Sequence, residues 1–381
     1  MRKELIEKFS AIKTPFYYYD LELLKQTLRA AKTEADKYQY HVHYALKANC
    51  DAQVLATVRE HGYGADCVSG NEVKCALDNG FANTQVVFAG VGKTDDEINL
   101  ALDNDIFCFN CESIPELEVI NELAAVKNKT ANIALRLNPN VDAYTHKYIT
   151  TGLEENKFGI NAHELDDIID LLKKLLNLRL IGLHFHIGSQ ITDFNPFKKL
   201  CSKVNEFIHL FEQKGIQFEH INVGGGLGIN YKEPDTQAIP DFKTYFAIFN
   251  ELLELRKGQQ LHFELGRALV ANCGSLISRV IYVKKGINTN FAILDAGMTE
   301  LIRPALYQAY HKIENLSSDD KRNVQRYDVV GPVCESSDCF GKAVYLPETK
   351  RGHMIAIRSA GAYGEVMASN YNLREKAIGV Y

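Results

Sequence analysis

Short apolar runs recur along the first two thirds of the chain, near residues 42–46, 63–68, 85–90, 105–109, 132–137, 179–185, 218–223 and 260–263. In the first, Val42, Tyr44 and Leu46 alternate with His43, Ala45 and Lys47, the period of a strand covered on both faces. Helical spacing of Leu, Ile and Phe predicts helices at about 21–37, 162–176, 195–214 and 241–256. Ser69-x-x-Glu72, Thr94-x-x-Glu97 and Ser113-x-x-Glu116 fit the capping box, in which a side chain at each end satisfies an orphan backbone donor at the other. Eight strands alternating with helices predict a parallel α/β sheet, and the count of eight favours a closed (β/α)8 TIM-like barrel. The runner-up is an open doubly wound sheet, but no Gly-x-Gly-x-x-Gly follows the first strand.

After Arg267 the rhythm changes. Runs at 276–283, 291–295, 328–333 and 353–358 are rich in Ile, Val, Phe and Tyr and separated by Gly, Asn and Asp turns. They predict a second, mostly β domain, barrel- or sandwich-like, with which an early strand at 15–20 is expected to pair. The expected division is a barrel over 31–266 and a β domain formed by 1–30 together with 267–381.

Composition narrows the function classes. The chain of 381 residues is 46% hydrophobic and 24% charged, ordinary for a globular protein. A net charge of −5 and the lack of a basic, aromatic-laced run give no reason to expect nucleic-acid binding. No apolar run nears the ~18 residues of a membrane span, and the charged start lacks the apolar heart of a signal peptide. Nine scattered Cys point to a reduced, cytoplasmic protein. The pair Cys108/Cys111 has no second pair at zinc spacing, so no metal is expected and strand-end packing accounts for it.

In a barrel the active site lies where the strands end, and there the polar residues collect. The ends carry Lys47, Asp66, Gly90-Val91-Gly92-Lys93, Arg136, the run His184 to Gln190, the run Gly224 to Gly228, and Glu264 to Arg267. Each has two readings. Lys47 is a surface lysine or, once buried, a neutral amine that condenses with a carbonyl. Gly224 to Gly228 is a flexible turn or a phosphate cradle of exposed backbone N–H groups. His184 and His186 are metal ligands, or one packed and one ring-stacking histidine. Glu264 pairs with an arginine, or keeps a pyridine nitrogen protonated. Cys334, in the second domain, is an inert thiol or a functional one. Taken together, the second readings make a pyridoxal phosphate site.

In order along the chain, HYALKAN (43–49), GADCVSGNE (64–72), GVGKT (90–94), NPNVDAYTHKYITTGLEENKFGI (138–160), HFHIGSQ (184–190), GGGLGI (224–229), ELGR (264–267), DAGMTELIRPALY (295–307), GPVCESSD (331–338) and AGAYGEVMASNYN (360–372) resemble the alanine-racemase-like, fold type III, pyridoxal-phosphate-dependent decarboxylases. One departure is Leu265, where that family usually has Pro. The resemblance implies that Lys47 carries pyridoxal 5'-phosphate, His186 stacks on its ring with Asp66 nearby, and Glu264 faces the ring nitrogen. It implies phosphate contacts from Gly225, Gly226, Gly266, Arg267 and Tyr363, with Ser189 close by. Arg267, Arg303, Tyr307, Glu335 and Tyr363 match substrate contacts, and Cys334 matches a proton donor supplied by the partner of a homodimer with shared active sites. A guanidinium fork suits a distal carboxylate and Glu335 a distal ammonium, so meso-2,6-diaminopimelate is the expected small-molecule substrate and lysine the product. The alternatives are a sister decarboxylase acting on carboxynorspermidine, ornithine or arginine, and a catalytically dead regulatory homologue.

Overall fold

The computed structural model describes residues 3–142, 157–318, 320 and 322–381. Part of the 138–160 motif, residues 143–156, therefore lies outside the described residues. Strand β1 is Phe16–Tyr19. The next eight are β2 His41–Ala45, β3 Gly64–Cys67, β4 Val86–Phe88, β5 Cys108–Cys111, β6 Ala131–Arg136, β7 Leu178–His184, β8 His220–Asn222 and β9 Gln260–Leu265. These eight pair in parallel in sequence order, and β9 returns to β2 to close a barrel. Each of the eight expected runs overlaps one barrel strand. In the closing ladder His41 pairs with His262, His43 with Glu264 and Tyr44 with Leu265. Leu265 is thus the buried last residue of a strand, a place where its N–H, which Pro would lack, is compatible with a ladder.

The capping predictions differ in detail. Thr94 and Glu97 form the full reciprocal box. Ser69 and Ser113 accept from Glu72 and Glu116 N–H, but those carboxylates reach one residue further back, to the N–H of Val68 and Glu112. The glutamate thereby ties the end of the strand to the start of the helix, as well as capping it. All nine cysteines are free, and Cys108 and Cys111 are buried within β5.

The chain divides into two compact units. The barrel unit is Lys25–Gly228 with Pro240–Gly266; the β unit is Met1–Leu24, Ile229–Ile239 and Arg267–Tyr381. The segment 229–239, which pattern alone left inside 31–266, goes with the β unit. There β10 Gly274–Lys285, β11 Asn290–Leu294, β12 Ile313–Asn315, β13 Val324–Val330, β14 Cys339–Pro347, β15 Met354–Ile357 and β16 Ile378–Val380 complete the sheet. Its order is β12-β15-β10-β11-β13-β14, with β1 antiparallel to β10 and parallel to β16. Phe9, Phe16, Ile277, Met354 and Ala356 form a core cluster of this unit. Strand β14 escaped the sequence reading because Gly341 and Lys342 break its apolar run and only Phe340 and Leu346 of its nine residues are buried.

Candidate active site

Lys47 is not the last residue of its strand. β2 stops at Ala45, and a single 3-10 turn, Leu46–Ala48, carries Lys47 past the rim. Nor is the lysine buried alone: its side chain is 37% exposed and its Nζ lies 3.1 Å from Asp66 Oδ2 at the end of β3. Asp66 itself is fully buried, and its Oδ1 has no partner among the described residues. Burial and the nearby Glu264 charge push the Asp66 carboxyl upward, while Lys47 pulls the other way. The ion-pair partner of Asp66 is thus Lys47.

Glu264 stands at the end of β9 with three donors on its carboxylate. Asn110 Nδ2 (β5) and Asn222 Nδ2 (β8) donate to Oε1 at 3.1 and 2.8 Å, and His184 Nε2 (β7) donates to Oε2 at 2.9 Å. Burial alone would raise this carboxyl; the hydrogen-bonded His184 and the charges around it outweigh burial and hold it well below the usual range. His184 Nδ1 is a second buried atom without a partner among the described residues.

His186 lies two residues beyond His184, past the strand end. Its Nδ1 accepts the Gly225 N–H at 3.3 Å. Burial, with the charges of Arg136 and Lys47, holds its imidazole far below the ordinary value. Arg136 in turn pairs with Glu112 at 2.8 Å, and that carboxylate also accepts the Gly90 and Gly159 N–H groups. Lys93 belongs to the same rim but is buried and committed, donating to the Gly90 and Asn110 carbonyls and the Glu116 carboxylate.

The turn after β8 admits only glycine. A Cβ on Gly225 would stand 1.9 Å from the Glu264 carbonyl oxygen, and Gly226 has φ +106° with the Gly188 carbonyl 2.8 Å from its would-be Cβ. Gly226 O accepts from Ile191 N–H at 2.9 Å, so Ser189 is carried on a loop stitched to this turn. Gly266 links Glu264 and Leu265 to Arg267, where a short helix, Arg267–Val270, begins.

The β unit has a second polar cluster. Arg267 and Arg303 each donate an Nη1 hydrogen to the Tyr231 hydroxyl, at 2.6 and 2.9 Å. Burial would raise the Tyr231 phenol, but the two guanidinium charges outweigh it and hold the phenol below its ordinary value. Arg303 Nη1 also reaches His311 Nε2 at 3.0 Å. His311 is kept neutral, at about 3, by burial and the Arg303 charge, and its Nδ1 donates to the Arg358 carbonyl. Arg267 lies over the Tyr363 ring at 4.8 Å, and Tyr363 is held at φ +57°, a strained conformation for a side-chain-bearing residue. Tyr307 ends the short helix Arg303–Tyr307. Cys334 and Glu335 are exposed; Cys334 N–H donates to Asn372 Oδ1 and the Tyr371 hydroxyl donates to Glu335 at 2.9 Å. Asp338 pins that loop by accepting the Val333 and Met298 N–H groups.

Residues 21–271 match the model of the family described as "Pyridoxal-dependent decarboxylase, pyridoxal binding domain". The chain belongs to that family. A diaminopimelate decarboxylase of Bacteroides thetaiotaomicron is 61% identical over 371 residues, 97% of this chain and 96% of the relative. That of Aquifex aeolicus is 40% identical over 99% of this chain and 88% of the relative. A crystal structure of Helicobacter pylori diaminopimelate decarboxylase complexed with L-lysine superposes with a TM-score of 0.92 at 39% identity, covering 99% of this chain and 94% of that one. The residues of this pyridoxal-dependent decarboxylase fit the cofactor. Lys47 offers an amine, the turn through Gly225 and Gly226 packs on neighbouring backbone so closely that only glycine fits, and Glu264 is a buried anion held by three donors.

Sequence reasoning missed the part played by five residues in these clusters. Asn110 and Asn222 were legible in principle, as single amides within apolar strands. His184 was seen but left as a packing residue. Tyr231 and His311 carried no signal. Among the described residues no group of three or more His, Cys, Asp or Glu could hold a metal, and no helix is long and apolar enough to cross a membrane.

Proposed function

We propose that this enzyme releases CO2 from meso-2,6-diaminopimelate to give L-lysine. The observation that carries the reading is Arg303, 5% exposed, with no carboxylate partner among the described residues. A buried guanidinium without an anion is costly, so the substrate is expected to bring one. Arg303 with Arg267 suits a distal carboxylate, and Glu335 suits a distal ammonium. The similarity to diaminopimelate decarboxylases agrees with this reading. Ornithine and arginine offer no distal carboxylate.

When bound, pyridoxal phosphate supplies the electron sink that accepts the pair left as CO2 departs. Lys47 is the residue for its carbonyl carbon, and Gly225 and Gly226, with Ser189, for its phosphate. Glu264, kept ionised by its three donors, stabilises a proton on the ring nitrogen. His186, kept neutral by burial, would sit beside the ring without adding a positive charge. Asp66 holds the Lys47 ammonium at Nζ and gives its proton a place to go when the amine must be neutral. Arg267, Arg303, Tyr307 and Tyr363 are proposed for the substrate's far end. Cys334 delivers a proton to the α-carbon.

Both Cys334 and Glu335 are exposed on the β unit, which supports a homodimer in which each serves the partner's site. A reduced, cytoplasmic setting agrees with nine free thiols. The test is CO2 release across meso-diaminopimelate, carboxynorspermidine, ornithine and arginine. A higher kcat/KM for any of the last three would overturn the assignment.

A further inference from the structure

Tyr231 belongs to the segment Ile229–Ile239, which follows the glycine turn but folds into the β unit. Its ring is enclosed as well as its hydroxyl. The Arg303 and Arg267 guanidinium carbons stand 5.1 and 6.0 Å from the ring centroid, and His311 meets it edge-on at 5.1 Å. We propose that Tyr231 is a specificity-determining residue of the distal-carboxylate subsite, its hydroxyl bridging the two arginines and donating its own proton to the incoming carboxylate. This rests on the decarboxylase reading given above.

The argument is one of donor capacity. A phenol oxygen has two lone pairs and one O–H. Both lone pairs of Tyr231 take arginine N–H groups, and its own proton has no acceptor among the described residues. Arg303 is limited in a complementary way. Its Nη1 hydrogens go to Tyr231 and to His311, which leaves Nε and Nη2, the edge that grips a carboxylate with two parallel bonds. His311 can play only the acceptor here, because its Nδ1 is already donating to the Arg358 carbonyl. A carboxylate therefore meets a charged fork and a hydroxyl. A ligand lacking it leaves buried donors unpaired, the situation in which a site discriminates most strongly.

L-lysine carries the carboxylate, and cadaverine is the same diamine chain without it. Both can be titrated calorimetrically into the holoenzyme and into Tyr231→Phe, which keeps the ring and its contacts with both guanidiniums. Wild type should prefer L-lysine. The variant should lose roughly tenfold or more of its affinity for L-lysine. Its affinity for cadaverine should stay within about twofold, and its cofactor absorbance band should be unchanged. In turnover, KM for meso-diaminopimelate should rise more than kcat falls. Unchanged L-lysine affinity, or equal weakening of both ligands, would overturn the assignment, the second showing that the hydroxyl only supports the fold. A wild-type enzyme that releases no CO2 from meso-diaminopimelate would instead refute the parent reading.

Discussion

His184 Nε2 lies 2.9 Å from Glu264 Oε2, both buried, so the histidine from β7 fixes one oxygen of a carboxylate on β9, two strands along the barrel. Together with the Asn110 and Asn222 amides it makes ionised Glu264 the resting state rather than one that must be created during turnover. Glu264→Gln removes the charge and presents a donor to at least one of those three donors. We expect cofactor to remain bound while kcat falls on the order of 10²-fold. An unchanged kcat would show that the carboxylate does not serve the ring nitrogen.

Lys47→Ala should abolish turnover, since no amine then stands beside Asp66 to hold the cofactor. Borohydride reduction of the wild-type holoenzyme followed by peptide mass spectrometry should place pyridoxyl on the peptide containing Lys47. Label on another lysine would refute the assignment. Because Asp66 is buried and would lose its cation, Lys47→Ala should also raise the Asp66 carboxyl further, visible as a shifted acid limb when cofactor binding is followed against pH.

At other positions in the barrel strands, three imidazoles form a chain. His43 Nδ1 faces the Gln85 carbonyl at 3.0 Å, so it carries the proton and Nε2 must accept from His262 Nδ1, also at 3.0 Å. His262 Nε2 then accepts from His220 Nδ1 at 3.0 Å. Each ring is neutral: burial holds His43 at about 4 and, with the other imidazoles, His262 well below the ordinary value. Their folded values are depressed, so their contribution is complete above the unfolded value of about 6.5 and is lost as pH falls towards 4. For His43 alone the loss approaches about 3 kcal/mol over that window. Thermal unfolding at pH 7.5 and pH 5 should show a drop in Tm that is smaller in His43→Gln than in wild type. Equal drops would mean that carboxylates, not this chain, set the acid limit.

The shared-site dimer has a quantitative test. Lys47→Ala and Cys334→Ala homodimers should each be nearly inactive. In a heterodimer of the two, one site collects both defects and the other neither. Random exchange of equal amounts gives about half heterodimers, so activity should recover to about a quarter of wild type. A tagged-subunit pull-down confirms exchange, and no recovery after it would mean that each chain completes its own site.

The barrel was legible because its strands are short, apolar and buried on both faces, and because helices with readable starts separate them. Local chemistry suffices for that: β2 alternates within five residues, and the Thr94–Glu97 box closes within one turn. Lys47, His186, Glu264 and the glycine turn could be picked out for the same reason, each being a polar or small residue where an apolar run stops. What local pattern could not decide was who partners whom. Lys47 looked like an amine made neutral by burial, whereas Asp66 from the next strand keeps it paired and part of its side chain stays in solvent. Glu264 owes its charge to Asn110, His184 and Asn222, which are 154, 80 and 42 residues away in sequence. Tyr231 joins Arg267 and Arg303 across 36 and 72 residues, from a segment whose pattern resembles a plain loop. Periodicity records which face of an element is covered, but the sign of a charge and the direction of a hydrogen bond depend on atoms brought together by closure of the sheet, and these only the tertiary structure supplies.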